Sequence, residues 1–371
     1  MQFWLLYQLL LLGLLKRGDS GDAGHFLGGW TKLCRRPVSE MRESPVSKKV
    51  LVTLVSLLAL LKIEMAYGEA TKLIVAYASP AATFCPGWIA KREGIFAKYS
   101  LDVEMVLMQG ASTYMPALAS GNIQVLYGGG TAVSRAIATG GFDLAVIATE
   151  TRYVPLRMMV NSSIQTAADL KGKKLGAGRA GLDEYATILY LEKLGLAPGK
   201  DVQIVYLAGG VPSRAAAMKQ GLIDGVAVNP PNEYDLEKAG FRELANFLDF
   251  KMPYAGVPHT VSKTFRDKNR KVVEDYMTAV MEGMQIFRIN KQAAYRAITE
   301  LTRQNDPVLL ERTYESYAKQ YDAIGGVPVP WEAGIESMIT GFHARFNPQG
   351  IKNHDAKPFL DPSFYRRRWS A

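Results

Sequence analysis

The sequence predicts an α/β protein of two similar lobes. Three observations carry this prediction. Short β-rich runs alternate with helical stretches of about ten residues, as βα units on a parallel sheet do. The alternation stops near residue 150 and starts again near residue 173. One helix–Gly–strand phrase then occurs once in each half.

The first half opens with a strand over 72–77 (KLIVAY), followed by a Ser/Pro/Ala loop and a helix over 87–99 with Ile89, Ile95 and Phe96 on one side. A second strand covers 103–108. The helix over 113–120 stops at Gly121, a residue type suited to the left-handed position after a helix. A third strand (123–127), a tight loop (128–130), a helix (131–139) halted by Gly140-Gly141, and a fourth strand (144–148) complete the half. The second half repeats the order: strand 173–176, loop 178–181, helix 182–194 capped by Gly195, strand 202–207, helix 212–220, and strand 223–228 ending at Asn229-Pro230-Pro231.

The repeated phrase is ALASGNIQVLY (117–127) against AMKQGLIDGVA (217–227). In both, a small-residue helix ends on glycine (Gly121, Gly221), and an isoleucine (Ile123, Ile223) opens the next strand. The pattern is either one unit used twice or a common αβ corner formed twice; both imply two α/β lobes. The last third is helical. Val272, Val273, Tyr276, Met277, Val280, Met284 and Phe287 recur at spacings of three and four around an amphipathic helix. Asp306-Pro307 supplies an N-cap and first residue for a helix over 308–321. Pro330 opens another, with Trp331, Ile335, Met338, Ile339 and Phe342 on one face. These helices are expected to pack back on the first lobe.

With 371 residues, of which 48% are hydrophobic, the chain can bury a large core without disulfides or metals. The net charge is +9, but Lys and Arg are dispersed and no aromatic-basic motif accompanies them. That distribution favours solubility and argues against a nucleic-acid partner. Near the N-terminus, Ser47-Lys48-Lys49 precedes an apolar run over 50–61, the length of a signal-peptide core and short for a bilayer span. Lys62 and Glu64 close the run, and Ala66, Gly68 and Ala70 suit a signal peptidase. Met41 opens a complete signal peptide by itself. Residues 41–70 are therefore read as the signal and 1–40 as an extension upstream of the true start, with a retained membrane anchor as the alternative. Of Cys34 and Cys85, only Cys85 survives such processing, so no disulfide is expected. The expected location is periplasmic or otherwise extracytoplasmic.

The phrase PGWIAKREGIFAKYSLDVEMV (86–106), followed by ALASGNIQVLYGG (117–129) and DLKGKKLGAG (169–178), resembles the substrate-binding proteins of bacterial ABC importers for nitrate, sulfonates, taurine and thiamine pyrimidine precursors. The resemblance runs from about residue 72 to 345. It implies a type II periplasmic-binding-protein fold: two α/β lobes, 71–153 with 254–371 and 154–253, joined by two crossover strands within 146–160 and 247–261. It implies a monomer that closes on a small-molecule ligand and delivers it to an ABC permease with its ATPase. The ligand expected is a small organic or inorganic anion; a pyrimidine-like heteroaromatic, or service to a sensory system, is the alternative. The family also holds eukaryotic pyrimidine synthases with a Cys-rich iron motif, which this chain lacks, along with GxSxG, HExxH and CxxC motifs. No enzyme activity, cofactor or metal site is expected.

In α/β sheets ligands sit beyond the C-terminal strand ends, where helix N-termini offer free N–H groups and partial positive charge. This rule selects the candidate residues. Ser79 and Thr83 offer hydroxyls after the first strand and Phe84 an apolar wall. Gln109 follows the second strand. Gly129, Gly130 and Thr131 follow the third, where glycines admit close backbone approach and a turn made for packing is the alternative. In the second half, Gly178, Arg179 and Gly181 take the equivalent place. The Arg179 guanidinium is the expected anion partner, with a surface charge as the alternative, and Asp183 and Glu184 either cap the helix or pair with it. Asn229 ends a strand, Thr149 and Arg152 lie at the hinge, and Tyr254 lies where the chain re-enters the first lobe. Tyr185 joins Phe84 and Tyr254 as a surface for a flat ring. His259 is placed near the hinge, and Cys85 is read as an inert buried thiol.

Overall fold

Two mixed five-stranded sheets organise the described residues, 70–179 and 181–364, of this computed structural model. In the first sheet, β1 (Thr71–Tyr77) lies between β2 (Leu101–Leu107) and β3 (Val125–Tyr127), and all three run parallel. β10 (Pro253–Val261) then adds antiparallel to β3, and β4 (Ala145–Tyr153) pairs antiparallel with β10 at the edge. The second sheet has the same plan. β6 (Lys174–Ala177) lies parallel between β7 (Gln203–Tyr206) and β8 (Gly225–Val228). β5 (Arg157–Val160) runs antiparallel between β8 and β9 (Arg242–Asn246). The sheets are thus mixed rather than purely parallel. Each contains one strand that runs against the others, β10 in the first sheet and β5 in the second.

The helices form where glycine and capping residues permit. The expected helix over 87–99 is two, α1 (Cys85–Arg92) and α2 (Ile95–Lys98), because Gly94 turns left-handed at φ 70° between them. α3 (Ala111–Ser120) ends on left-handed Gly121 as its sequence indicated. α4 (Gly130–Thr139), α5 (Leu182–Lys193) and α6 (Gly210–Lys219) each follow a strand end. The expected continuous crossover over 146–160 is interrupted at residues 154–156, so that β4 and β5 serve different sheets.

The repeated phrase is one structural unit used twice. Gly121 N–H donates to Leu118 O, and Gly221 N–H to Met218 O. Gln124 N–H donates to Ile74 O, and Asp224 N–H to Lys174 O. The side chains reciprocate: Gln124 Oε1 accepts from Ile74 N–H at 2.8 Å, and Asp224 Oδ2 from Lys174 N–H at 2.9 Å. Each half thus clamps its strand pair with the same two-way bond.

After α7 (Asn232–Lys238), the C-terminal helices return to the first sheet. α8 (Lys263–Lys268) leads to α9 (Arg270–Ile289), which packs on α1 so closely that a Cβ on Gly283 would lie 2.1 Å from Pro86 O. α10 (Lys291–Thr302) had no counterpart in the sequence reading. α11 (Pro307–Ala323) is capped by Asp306, whose carboxylate accepts from Val308 and Leu309 N–H. α12 (Glu332–Met338) starts after Trp331 and runs into a wider π turn over Ile339–His343. This last segment does more than pack back on the first lobe. Ile335 and Ile339 join the first lobe's core beside Leu126 and Val146, while Met338 and Phe342 join the second lobe's core beside Tyr185. The expected upstream extension (1–40), the expected signal segment (41–70) apart from Ala70, and Cys34 lie outside the described residues. Among the described residues no helix is long and apolar enough to cross a membrane.

His343 fixes the π turn to α4. It is buried, its Nε2 lies 2.8 Å from Ser134 Oγ, and its Nδ1 has no hydrogen-bond partner among the described residues. Burial pushes its pKa down to about 4, with Arg135 adding to the effect. A folded-state pKa below the unfolded value means that the unfolded chain binds the extra proton first. The stabilising contribution is therefore complete above about pH 6.5 and is lost as pH falls towards 4. We expect urea-unfolding free energies to decline by on the order of 2–3 kcal/mol through this group over that interval. A His343→Gln variant should show a correspondingly flatter decline; an unchanged pH profile in the variant would rule the group out.

Candidate ligand-binding cleft

Strand ends from both sheets meet at one cavity of about 290 Å³. On the first-sheet side, the chain leaves β1 through Ser79 and the short helical turn Ala82–Phe84, leaves β2 at Gln109, and leaves β3 through the glycines that open α4. On the second-sheet side, the N-termini of α5 and α6 and the end of β8 face the same space. The cavity brings together ten of the residues chosen from sequence: Ser79, Thr83, Phe84, Gln109, Gly129, Gly130, Thr131, Gly181, Asn229 and Tyr254.

The glycine loop has two causes. Gly128 and Gly129 hold φ values of +105° and +70°. Side chains would also collide: a Cβ on Gly128 would sit 2.9 Å from the Phe84 ring, on Gly129 2.9 Å from Tyr114 Oη, and on Gly130 2.7 Å from Ala255 O. Packing thus demands the glycines. Their consequence at the cavity is a helix start with no side-chain cap and no acidic residue in its first turn, leaving the first-turn N–H groups without intrahelical acceptors. The Thr83 and Thr151 hydroxyls, both buried at the wall, also have no hydrogen-bond partner among the described residues.

The charge at the second-lobe wall belongs to Arg214, not Arg179. The Arg214 Nε lies 2.9 Å from Asp183 Oδ2, and both side chains are buried. Gly178 N–H donates to the same carboxylate oxygen at 2.6 Å. Burial raises the Asp183 carboxyl above its ordinary range, against the downward pull of Arg214. Gly178 and Gly181 leave room for the pair, since a Cβ on Gly178 would lie 2.8 Å from Arg214 Nη1 and one on Gly181 2.6 Å from Asp183 Oδ1. Arg179 instead lies over the Tyr206 ring, 4.0 Å from its centroid, and Tyr206 Oη donates to Glu184. Arg179 and Gly178 therefore do not line the cavity, and Asp183 does not serve Arg179. Arg214 was missed because it sits on the second turn of α6, where spacing alone reads as a solvated helix face.

Two further candidates point elsewhere. Thr149 Oγ1 donates to Val329 O at 2.9 Å and is turned away from the cavity. Arg152 borders a separate cavity on the other side of α11. Tyr185, fully buried, donates to Pro253 O and contributes no ring to the wall. The aromatic surface comes from Phe84, Tyr254 and Tyr317. Tyr317 comes from α11, a helix expected from the sequence only to pack back on the first lobe. Its hydroxyl accepts from Asn229 Nδ2 at 3.2 Å, linking that helix to the end of β8.

Behind Phe84 lies a buried polar relay. The Phe84 ring meets Tyr127 edge-on at 4.9 Å, and Tyr127 stacks on His259 at 4.1 Å. Tyr127 Oη donates to Glu150 Oε1 at 2.7 Å, His259 Nε2 lies 3.0 Å from the same oxygen, and His259 Nδ1 lies 2.9 Å from Tyr276 Oη. Burial raises the Glu150 carboxyl against these partners. Cys85 is fully buried, and burial, with Glu150 nearby, pushes its thiol well above the ordinary range. Such a thiol is protonated and poorly nucleophilic. Away from the cleft, Glu332, Glu336 and Asp355 bring carboxylate oxygens within 4.8 Å of one another at the surface.

Residues 81–294, more than half of the chain, match the family model described as NMT1/THI5 like. A sequence comparison with curated proteins found no match. Among solved structures, the alkanesulfonate-binding protein SsuA from Xanthomonas axonopodis pv. citri, bound to MOPS, is similar at 18% identity and a TM-score of 0.62, covering 79% of this chain and 99% of its own. The periplasmic aliphatic sulphonate binding protein SsuA from Escherichia coli gives 20% identity and 0.61, covering 77% and 95%. The periplasmic nitrate-binding protein NrtA from Synechocystis PCC 6803 gives 18% and 0.54, covering 67% and 69%. These likenesses show a two-lobed α/β periplasmic-binding-protein fold.

The Arg214–Asp183 pair yields a stability test. Arg214→Met leaves a buried carboxylate without its partner and should cost about 3–5 kcal/mol in urea unfolding at pH 7. Adding Asp183→Asn to that variant should recover a large part of the loss. Equal stability of the single and double variants would mean that the pair is not coupled.

Proposed function

The chain belongs to the NMT1/THI5-like family, and we propose that it is the extracytoplasmic solute-binding component of an ABC importer, passing its ligand to a permease with its ATPase. The observation that carries this reading is the convergence of strand ends and helix N-termini from two sheets on one cavity. In this reading the moving bodies are residues 71–153 with 254–371 and residues 154–253, and closure about β4 and β10 is a hinge motion that presents a docking surface. The chain acts as a monomer and as a binder rather than an enzyme, consistent with the inert setting of Cys85.

The solute we propose is a small organic anion with an apolar or flat body. Its oxyanion faces the first turn of α4, where N–H groups, the Thr131 hydroxyl and the helix dipole favour negative charge. Its body lies against Phe84, Tyr254 and Tyr317. A second reading, an uncharged heteroaromatic, is favoured by one observation: Arg214 and Asp183, the charged side chains of the wall, already offset each other.

A thermal-shift panel of sulfonates, nitrate, aromatic carboxylates and aminopyrimidines on the purified chain separates these. A ligand at a hundred times its Kd should stabilise by about 2.7 kcal/mol. For the anion, Thr131→Val should weaken binding roughly tenfold, whereas a neutral ring should depend on Phe84→Ala and ignore Thr131→Val. Stabilisation by aminopyrimidines alone would replace the anion with the heteroaromatic, and silence across the panel would remove both solute classes.

A further inference from the structure

A second cavity, about 560 Å³, lies on the other side of α11 from the cleft and has no part in the function proposed above. Tyr317 faces the cleft, whereas Arg312, Glu315, Lys319 and Gln320 of the same helix face this second space. Its remaining walls come from both lobes: Arg152 and Tyr153 at the end of β4, and Arg157 and Tyr234 on the second-sheet side.

Four cations face this space against one carboxylate, Glu315. Two of them are held from behind. Arg157 lies 3.2 Å from Glu243 and 3.7 Å from Glu233, and Arg312 lies 2.6 Å from Glu237 and stacks over the Tyr234 ring at 3.7 Å. A guanidinium carries five N–H donors, so one such pair leaves donors for another oxyanion. Arg152 and Lys319 are in no ion pair among the described residues. One buried polar atom is also without a partner there, Gln320 Oε1, in a residue 9% exposed. Buried polar groups in native proteins are normally satisfied, and an exception points to something bound.

We infer that this cavity is a second ligand site, taking a small hydroxylated organic dianion such as a hydroxy-dicarboxylate. Arg152 and Lys319 match its two oxyanions, with Arg157 and Arg312 as further donors. Gln320 Oε1 accepts from the ligand hydroxyl, which a plain dicarboxylate cannot supply. Tyr153 and Tyr234 flank the carbon frame. The volume is within the usual range for small-molecule sites.

The test is isothermal titration calorimetry of the purified full chain with malate, succinate and inorganic phosphate at low and physiological salt. Malate should bind one per chain, more tightly than succinate or phosphate, and more weakly as salt rises. Arg152→Gln with Lys319→Gln, both exposed positions, should weaken malate at least about tenfold. Ser79→Trp, which fills the cleft, should leave malate binding intact, with circular dichroism checking that each variant is folded. Absence of binding by all three probes overturns the proposal, as does binding that survives the double variant. Loss of malate binding in Ser79→Trp would place the ligand in the cleft instead. A preference for succinate or phosphate overturns the hydroxy-dicarboxylate assignment. None of these outcomes depends on finding the cleft's own solute, so the two readings fail separately.

Discussion

The rest of the molecule depends on one antiparallel strand pair. β4 carries the chain out of the first sheet and β10 brings it back beside it, from Pro253 opposite Tyr153 to Val261 opposite Ala145. The pairing is tight because Gly256 lacks a side chain: a Cβ there would lie 1.8 Å from Thr151 Oγ1. The register shifts between Pro253 and Gly256, and Val257 adopts φ +50°, a conformation that β-branched residues rarely take. That irregularity puts Thr151, Tyr254 and Val257 at the cavity wall. The same two strands bury Glu150 and His259 beneath Phe84. Wall and floor of the cleft are thus consequences of one packing arrangement.

The cleft's electrostatics follow from that frame. Backbone N–H groups at helix starts provide diffuse positive potential without a net charge in the lining. The formal charges of Arg214 and Asp183 offset each other and are kept buried by the absence of side chains at Gly178 and Gly181. A neutral wall of this kind recognises a solute through directed hydrogen bonds and aromatic contact more than through bulk attraction. The positive surplus stands instead behind α11, so the helix separates two spaces of different chemical character.

The sequence by itself determined the alternation of strands and helices, the doubling of the α/β unit, the glycine stops and the loops that face the cleft. These features are local. Gly121 and Gly221 end their helices by adopting left-handed backbone, and Asp306 caps its helix through neighbouring N–H groups. The strand-end rule reached Ser79, Thr83, Phe84, Thr131 and Asn229 because it needs only the order of elements. What tertiary structure alone decided was which distant side chains complete those loops. Arg214 rather than Arg179 stands at the wall because Tyr206, on the neighbouring strand, takes the Arg179 guanidinium. Tyr317 reaches the cleft because α11 packs against both lobes, and Arg152 leaves it because the end of β4 turns to the opposite side. Helical periodicity fixes which residues share a face, but the partner of that face is set by contacts between segments far apart in the chain, and no spacing within one segment encodes them.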